Sequence, residues 1–370
     1  MQNNHPKIDL KQVREDCYRL DTPDFEIPKE VKLFSHEKFT SVPEIHVNHI
    51  PPNGWTRIFR RCRTLFHFFY AIQLCFSTKR NSVLIINGSF GPLWIFVGMI
   101  RHLCRFQKRK FLLWDVFVEY KLGKEKRLKF FPFIKIKTEW KETIAGFSLK
   151  GFDLAVLWSK KQVPAHAKHF RLPEEMFIFL PYKANHSQWN PYNIEMGRFI
   201  FSGGNGKRDY RPLIEAVRGT CIPVIISATD PNVRKQIETL PNVMVLGAPE
   251  PAFAQLQAAS EFIVVSMIDS GLKGGGEANF CNAMWHGKPV IACCNMAAED
   301  YIIEGETGFI VSVGDAVLLR NRIQMLWNDP VKVRQMGKKA KEHALKFFTH
   351  ERFVRRLLRL AFVLGDDGVK

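Results

Sequence analysis

A run of three glycines opens the stretch of this chain whose residue types point most directly to chemistry. It precedes a predicted helix of about ten residues, which Gly287 ends before Lys288 and Pro289 lead into a β-branched strand. Backbone amides of such a loop at a helix N-terminus attract anions, usually phosphates, because unpaired N–H groups and the helix dipole face the ligand. The spacing therefore predicts a phosphate-binding loop. Its candidate residues are Gly274, Gly275, Gly276 and Glu277.

A second glycine loop, at residues 201–210, joins a predicted strand to the next helix. In a doubly wound sheet, ligands bind at the carboxyl ends of the strands, so both loops are expected at one crevice. A basic turn that merely keeps the start of the helix soluble is the alternative interpretation. The candidate residues of this loop are Gly203, Gly204, Gly206, Lys207 and Arg208.

Asp115 is the candidate acid of the first half of the chain. It ends a predicted strand whose other residues, 111–114, are apolar, which places its carboxylate at the mouth of a crevice. There it could accept a proton from a hydroxyl group or orient a sugar. An N-cap or an ion pair with a nearby lysine is the structural alternative. Ser89 and Glu119 are further candidates.

Short apolar strands alternate with helices from about residue 82 onward, which favours parallel, doubly wound sheets. A chain of 370 residues exceeds what one core usually supports. We therefore expect an α/β fold with two Rossmann-like, doubly wound domains facing a crevice. The predicted parts are an N-terminal domain at residues 1–182, a linker at 183–196, a C-terminal domain at 197–348 and a helix at 349–370 that crosses back to the first domain.

Several of these motifs together resemble the donor-binding half of GT-B glycosyltransferases, and within them glycosyltransferase family 4. The resemblance rests on three segments: residues 282–284 (Asn-Ala-Met), residues 287–291 (Gly-Lys-Pro-Val-Ile) and residues 305–311 (Gly-Glu-Thr-Gly-Phe-Ile-Val). It covers residues 177–362 well and residues 83–176 loosely. The two glutamates of the family's E-x7-E motif fall on Gly274 and Asn282, so neither is present. In the family they position the sugar and hold the ribose hydroxyls; here Glu277 is the candidate to replace the lost carboxylate.

The resemblance implies a glycosyltransferase that uses a nucleotide-diphosphate sugar, with a UDP-sugar favoured over a GDP-sugar. It implies retention of anomeric configuration and places Lys207 and Arg208 where family members hold the diphosphate. These cations would neutralise the charge that grows on the leaving diphosphate, without a metal. No cofactor beyond the donor substrate is expected.

The charge distribution predicts an anionic partner. Lys and Arg number 54 against 36 Asp and Glu, a net charge of +18. Residues 101–150 hold half of this excess, with lysines interleaved among aromatic and aliphatic residues, and a predicted helix at 55–76 repeats the pattern with arginines. Such a surface suits an anionic membrane. We therefore expect a saccharide or lipid-linked acceptor, and a cytoplasmic protein held peripherally on the inner face of a membrane, because no signal peptide or spanning segment is evident.

Three other functions remain open. A non-hydrolysing nucleotide-sugar epimerase would have the same fold and need no acceptor. A basic nucleic-acid-binding module would explain the net charge, although no nucleic-acid motif is recognisable and none is expected as a partner. A membrane scaffold without catalysis would explain why residues 274 and 282 are not glutamates.

Overall fold

The chain divides into two compact units in the computed structural model. Unit 1 comprises residues 1–157, 163–180 and 354–370, and unit 2 comprises residues 158–162 and 181–353. The structure describes residues 10–21, 31–39, 42, 45–89, 91–104, 109–115, 126–128, 131–136, 138–186, 197–235, 237–238, 240–268, 272, 275–293 and 296–366, with the backbone alone for residues 60, 126–128, 131–136, 138–141 and 232.

Unit 1 is built on a six-stranded parallel sheet in the order β2-β1-β3-β4-β7-β8, with a separate antiparallel hairpin of β5 and β6. Its strands are β1 (Lys32–Ser35), β2 (Val47–His49), β3 (Ser82–Asn87), β4 (Arg109–Trp114), β5 (Lys126–Leu128), β6 (Phe131–Ile136), β7 (Leu154–Leu157) and β8 (Phe177–Phe179). Its helices are α1 (Leu10–Tyr18), α2 (Gly54–Ile58), α3 (Arg63–Ser77), α4 (Leu93–Cys104), α5 (Thr138–Leu149) and α6 (Gln162–Phe170).

Unit 2 is built on a second six-stranded parallel sheet, in the order β11-β10-β9-β12-β13-β14. Its strands are β9 (Ile200–Gly203), β10 (Val224–Ser227), β11 (Val243–Leu246), β12 (Ile263–Ser266), β13 (Val290–Cys293) and β14 (Gly308–Val311). Its helices are α7 (Arg211–Val217), α8 (Pro231–Arg234), α9 (Ala252–Ala259), α10 (Glu277–Trp285), α11 (Ala316–Asn328) and α12 (Pro330–Phe347). Helix α13 (His350–Asp366) follows, and its residues from 354 onward belong to unit 1.

The two sheets confirm the predicted α/β fold. Both are parallel, and β3, β9 and β13 are buried along their whole length, as the apolar runs of the sequence predict. Gly287 ends α10 as predicted, with a φ of +69°. At the start of α13, the hydroxyl of Thr349 accepts a hydrogen bond from the Arg352 amide.

The prediction of one helix over residues 55–76 is wrong. The chain forms α2, a 3₁₀ turn at Phe59–Arg61 and then α3, with Cys62 extended between them at φ −106° and ψ 94°. The break lets α2 fold back on α3: the rings of Phe59 and Phe69 stack at 4.3 Å, and the Asn53 amide donates to Gln73 Oε1 at 3.0 Å. Hydrophobic periodicity alone did not reveal this reversal, because both short helices keep the same spacing of apolar residues.

Helix α13 closes unit 1 through buried arginines. The guanidinium of Arg359 forms an ion pair with the Asp16 carboxylate of α1, and both side chains are buried. Arg356 donates to the backbone carbonyls of Leu20 and Asp21 just after α1. These contacts hold the N-terminal helix of the unit against its C-terminal helix.

Candidate functional site

A cavity of about 840 Å³ lies at the carboxyl ends of the unit 2 strands. This volume falls within the range of about 300–1,000 Å³ that is usual for small-molecule sites. The loops after β9, β10 and β11, the start of α10 and the segment that enters the unit all contribute to its wall. The described lining residues are Lys183, Ala184, Asn185, His186, Gly204, Asn205, Ser227, Thr229, Ala248, Pro249, Glu250, Phe253, Ala278, Asn279, Asn282 and His350.

The glycine loop after β9 forms one wall with its backbone. Gly204 has a φ of +118°, and its amide donates to the Ser227 carbonyl at 2.9 Å. The Gly203 carbonyl accepts from Asn279 Nδ2 at 2.9 Å, which ties this loop to α10. A Cβ atom at Gly204 would lie 2.8 Å from Arg208 Nε, so the loop has no room for a side chain there. Gly206, by contrast, has open space around it.

Lys207 and Arg208 lie in this loop but are not among the described residues that line the cavity. Arg208 Nε donates to the Gly203 carbonyl at 3.0 Å, and its guanidinium also contacts the Met267 sulfur. Lys207 has a φ of +53°, and its carbonyl accepts from the Ile268 amide at 3.0 Å. The Arg208 side chain therefore braces the loop in this conformation, and its predicted contact with a diphosphate stays a prediction.

The loop before α10 presents a helix N-terminus beside the cavity. Gly276 occupies the N-cap position with a φ of +94°, and no side chain caps this end of the helix. Ala278 and Asn279 of the first turn line the cavity, and Glu277 is buried at the first helical position. A Cβ atom on Gly275 would collide with the Met267 side chain. These features match an anion-binding helix start.

Gly274, the position of the family's first glutamate, lies outside the described residues. The role predicted for Glu277, to replace the lost carboxylate, stays a prediction.

Asn282 clamps the cavity wall through its amide oxygen. Its Oδ1 atom accepts from the backbone amides of Asn185 at 2.6 Å and His186 at 3.2 Å. Two N–H donors fix which end of the amide is oxygen, because the NH₂ end cannot accept. The oxygen is thus committed to the segment that enters unit 2.

Three side chains form a hydrogen-bonded row along the same wall. His186 Nδ1 lies 3.0 Å from His286 Nε2, and His186 Nε2 lies 2.9 Å from Glu250 Oε1. Burial lowers the pKa of His186 to about 4 and is the main cause that lowers the pKa of His286 to about 3, so both rings are neutral near pH 7. Desolvation raises the pKa of Glu250, and the Ala254 amide, which donates to Oε2 at 3.2 Å, opposes that rise.

Lys183 supplies a cation to the described part of the cavity wall. Its Nζ lies 2.7 Å from His350 Nδ1 and 5.1 Å from the centre of the Phe353 ring. Burial, and next the charge of Lys183, lower the pKa of His350, so the imidazole is the acceptor of this hydrogen bond.

Asp115 lies where the sequence places it, at the carboxyl end of β4 in unit 1. Its φ is +57°, a left-handed conformation that aspartate adopts more readily than most residues. The carbonyl of the preceding residue, Trp114, accepts from the Gly88 amide at 2.7 Å, which joins the ends of β4 and β3. Asp115 is partly exposed, whereas the four strand residues before it are buried.

A polar cluster that contains the candidate Ser89, together with Glu37 and Asn87, lies at the ends of β1 and β3. Asn87 Nδ2 donates to Glu37 Oε1 at 2.9 Å, and Asn87 Oδ1 accepts from the amide and the hydroxyl of Ser89 at 2.9 and 2.7 Å. The strand order changes direction between β1 and β3, and such switch points are where open α/β sheets bind ligands. Ser89 is therefore part of a built cluster, and Glu119 lies outside the described residues.

Neither unit shows a metal-binding cluster in its described part. No group of three or more His, Cys, Asp or Glu side chains there could hold an ion. His36 and His67 are buried in unit 1.

Sequence reasoning named two loops of unit 2 that contribute to the cavity wall, but it missed most of the side chains that line the cavity. It named Gly204 and Asn282, which line the cavity, and for residues 247–249 it left open contact with the nucleotide base through backbone groups or an ordinary strand-to-helix turn. It missed Lys183, His186 and Glu250. Glu250 directly follows that turn, so its place after β11 was the available signal.

Both sheets, with their helices, define the class of fold, the one seen in GT-B glycosyltransferases of known structure. Sucrose-phosphate synthase from Thermosynechococcus elongatus superposes with a TM-score of 0.60 and 17% identity, covering 85% of this chain and 79% of that one. HepE from Anabaena, solved with UDP and glucose, superposes with a TM-score of 0.57 and 16% identity, covering 86% of each chain.

The sequence comparisons point to the same class. Residues 211–329 match the family model described as glycosyl transferases group 1. Trehalose synthase of Pyrococcus horikoshii is 33% identical over 109 residues, which is 30% of this chain and 25% of that protein. The chain thus matches about a quarter of the length of its curated relatives, or less. These findings confirm the GT-B fold and the resemblance of unit 2 to glycosyl transferases group 1, whereas family 4 in particular stays a prediction.

Proposed function

We propose that this protein is a glycosyltransferase whose unit 2 cavity binds a nucleotide-diphosphate sugar. The observation that carries the proposal is that the cavity lies at the strand ends of a Rossmann-ordered sheet and is lined largely by the segment that matches the family model. Transfer of a labelled sugar from a donor to an acceptor tests it. A donor-only incubation separates it from epimerisation, because an epimerase forms product without an acceptor.

A UDP-sugar is the favoured donor. HepE, which shares the fold, was solved with UDP, with UDP-glucose, and with UDP and glucose. A thermal-shift screen with nucleotides tests the choice, because a ligand at about 100 times its dissociation constant stabilises the folded state by roughly 2.7 kcal/mol. UDP should raise the melting temperature more than GDP does. An equal or larger shift with GDP would contradict the choice of base.

The start of α10 and the nearby cations would stabilise the leaving diphosphate in place of a metal. The uncapped helix N-terminus offers amide donors, and Lys183 provides positive charge at the cavity wall. Lys207 and Arg208 would join them if the loop after β9 rearranges on binding. Transfer should then persist in excess EDTA, and its loss there, restored by added Mg²⁺, would contradict a metal-free mechanism.

Asp115 is the proposed acceptor-side base. The acceptor oxygen forms a bond to the anomeric carbon while the bond from that carbon to the diphosphate oxygen breaks, and the hydroxyl proton passes to the Asp115 carboxylate. The displaced electron pair leaves with the nucleoside diphosphate. We propose that the anomeric configuration is retained, which requires the acceptor oxygen to approach the anomeric carbon on the face that the diphosphate leaves. NMR of the product's anomeric proton tests it.

The face of α2 and α3 supports a membrane-associated acceptor. We define the α2–α3 face by five exposed apolar side chains, of which Trp55 is 77% and Ile58 is 67% exposed. Leu65, Phe68 and Phe76 continue it on one stripe of α3. The same segment carries three exposed arginines, Arg57, Arg61 and Arg63. Large apolar groups beside cations suit the interface of an anionic bilayer. No helix in the described parts of the chain is long and apolar enough to cross a bilayer.

Flotation with lipid vesicles tests this surface. Anionic vesicles should carry the protein upward at low salt, and the Arg57→Glu, Arg61→Glu, Arg63→Glu variant should stay behind, since each cation near the leaflet contributes about 1 kcal/mol. A matched control reverses three exposed charges of α12 in unit 2, Arg334, Lys338 and Lys339. Equal loss in the control would reduce the effect to net charge, and no binding by the unaltered protein would refute the membrane assignment. Four basic residues of the 101–150 stretch, Lys124, Lys126, Arg127 and Lys129, have no described side chains.

A further inference from the structure

We propose that Glu250 provides the carboxylate that position 282 lacks, and that it accepts hydrogen bonds from the ribose hydroxyls of the bound nucleotide. The inference rests on the proposed function, because it assumes a nucleotide in the unit 2 cavity. It assigns a specificity role to a residue outside the recognised motifs.

Asn282 cannot take the role of a glutamate in this structure. Its only acceptor atom, Oδ1, already accepts from the backbone amides of Asn185 and His186. What remains of its amide group is a donor, whereas a ribose hydroxyl that donates needs an acceptor. Asn282 therefore stabilises the cavity wall, and another side chain must accept hydrogen bonds from the ribose hydroxyls.

Glu250 is the carboxylate among the described residues that line the cavity. Its side chain is 41% exposed, so it reaches the cavity instead of being sealed in the wall. Each carboxylate oxygen already accepts one hydrogen bond, Oε1 from His186 and Oε2 from the Ala254 amide. A carboxylate oxygen has two lone pairs, so each keeps one free acceptor site. The group can thus receive two neighbouring hydroxyls.

His186 connects position 282, where the family has a glutamate, to Glu250. Its backbone amide donates to Asn282 Oδ1, and its ring lies 2.9 Å from Glu250 Oε1. Since a carboxylate only accepts, the proton must be on His186 Nε2, which makes Nδ1 the acceptor of a hydrogen bond from His286 Nε2. Both rings are thereby locked in one tautomer, and the row His286–His186–Glu250 fixes the orientation of the carboxylate beside position 282.

Charge and position favour the nucleoside over the diphosphate as the partner of Glu250. A carboxylate repels the diphosphate, and the described anion-binding features, the start of α10 and Lys183, are different groups of the wall. Glu250 follows β11, the outer strand of the half-sheet β11-β10-β9. In a sheet of this order each half binds one mononucleotide, with the phosphates where the strand order reverses. The outer strand therefore serves the ribose and base end.

Binding measurements with a nucleotide lacking both hydroxyls test the assignment on the full chain. Isothermal titration with UDP and with 2′,3′-dideoxy-UDP should show that the unaltered protein prefers UDP by about 10- to 100-fold, the range for hydrogen bonds to a charged group. Glu250→Gln should bind UDP correspondingly more weakly, and its preference should fall below about threefold. Glu238→Gln, an exposed glutamate outside the cavity, is the control and should behave like the unaltered protein.

The possible outcomes separate cleanly. If the unaltered protein binds UDP and the dideoxy nucleotide equally, or if Glu250→Gln keeps the full preference, the ribose assignment is overturned. If Glu250→Gln changes only the preference between UDP and GDP, the carboxylate reads the base and the assignment is equally overturned. Should neither UDP nor GDP bind the unaltered protein, the donor site itself is refuted, and this inference with it.

His186→Gln tests the positioning role independently of the carboxylate. Losing the ring leaves Glu250 present but unsupported, so the preference for UDP over 2′,3′-dideoxy-UDP should fall by about three- to tenfold. Melting temperature without nucleotide monitors the fold of each variant. A variant with a lower melting temperature but an unchanged preference would show that the histidine row supports the fold alone.

Discussion

The carboxyl ends of the strands carry different polar groups in the two sheets: mainly backbone features in unit 2 and side chains in unit 1. In unit 2, the glycine loop after β9 borders the cavity at Gly204, and Gly276 leaves the start of α10 without a side-chain cap. In unit 1, the corresponding edge carries side chains, namely Glu37, Asn87, Ser89 and Asp115. Backbone amides suit a phosphate, whose recognition needs donors and close approach. Side-chain acceptors suit hydroxyl-bearing molecules.

The order of the strands also differs between the two sheets. Unit 2 has the order expected of a dinucleotide-binding sheet, whereas unit 1 has its switch point between β1 and β3. A site built on backbone leaves a strong sequence signal, because glycine is required at particular positions. A site built on side chains leaves almost none. The difference explains why the second half of the chain is recognisable and the first half is not.

Asp115→Asn is expected to give the largest effect and tests the acceptor side of this comparison. If the carboxylate takes the acceptor's proton, transfer should fall by about 10²- to 10⁴-fold, while UDP affinity stays unchanged because the nucleotide binds unit 2. Steady-state rates and titration calorimetry measure the two quantities. Asp21→Asn, an exposed aspartate of unit 1, is the control.

Transfer that survives in folded Asp115→Asn would place the base elsewhere. Glu37→Gln is then the next variant to try, because its carboxylate lies at the switch point of the same sheet.

Removing Lys207 and Arg208 tests the donor side and should give the next largest effect. The double alanine variant should lose about a hundredfold in turnover if these cations act on the leaving diphosphate. Arg211→Ala is a close control, since Arg211 is exposed and paired with Asp209. Normal transfer by the folded double variant would show that Lys183 and the start of α10 suffice.

The sequence predicted the parts of the site that backbone geometry dictates. The two glycine loops, the end of α10 at Gly287 and the strand at residues 290–293 follow from local rules on caps, turns and apolar runs. The row of His286, His186 and Glu250 could not be predicted in this way, because it joins residues 64 and 100 positions apart. Only the folded sheet brings them together.

Gly204 and Gly206, two glycines of the loop after β9, differ in the space around them. Gly204→Ala forces a Cβ atom against Arg208 Nε and requires a φ of +118°, so it should destabilise the protein by about 1–3 kcal/mol and weaken UDP binding. Gly206→Ala, where nothing lies within 4 Å, should stay within about 0.5 kcal/mol. Urea unfolding measures both. Equal stability of the two variants would argue against a backbone-built wall.

The smallest expected effect uses one buried histidine from each unit. Burial lowers the pKa of His36 in unit 1 and of His186 in unit 2 to about 4, from an ordinary value of 6.5. Below pH 6.5 these two histidines therefore bind protons in the unfolded chain but not in the folded protein. Their contribution to the free energy of unfolding is fully present above that pH and is lost as the pH falls toward 4. Between pH 7 and pH 6 each histidine should lower the free energy of unfolding by a little under about 1 kcal/mol.

Urea unfolding of His36→Gln and His186→Gln at the two pH values measures that contribution. Each substitution should remove one histidine's share of the pH dependence, whatever it does to stability at pH 7, because glutamine does not titrate. Following unfolding with signals from each unit shows whether the two units unfold together. If the units unfold together, both variants lose the same share in every signal, whereas independent unfolding confines each loss to its own unit. A pH dependence that neither substitution changes would mean that these two imidazoles are accessible to protons in the folded protein.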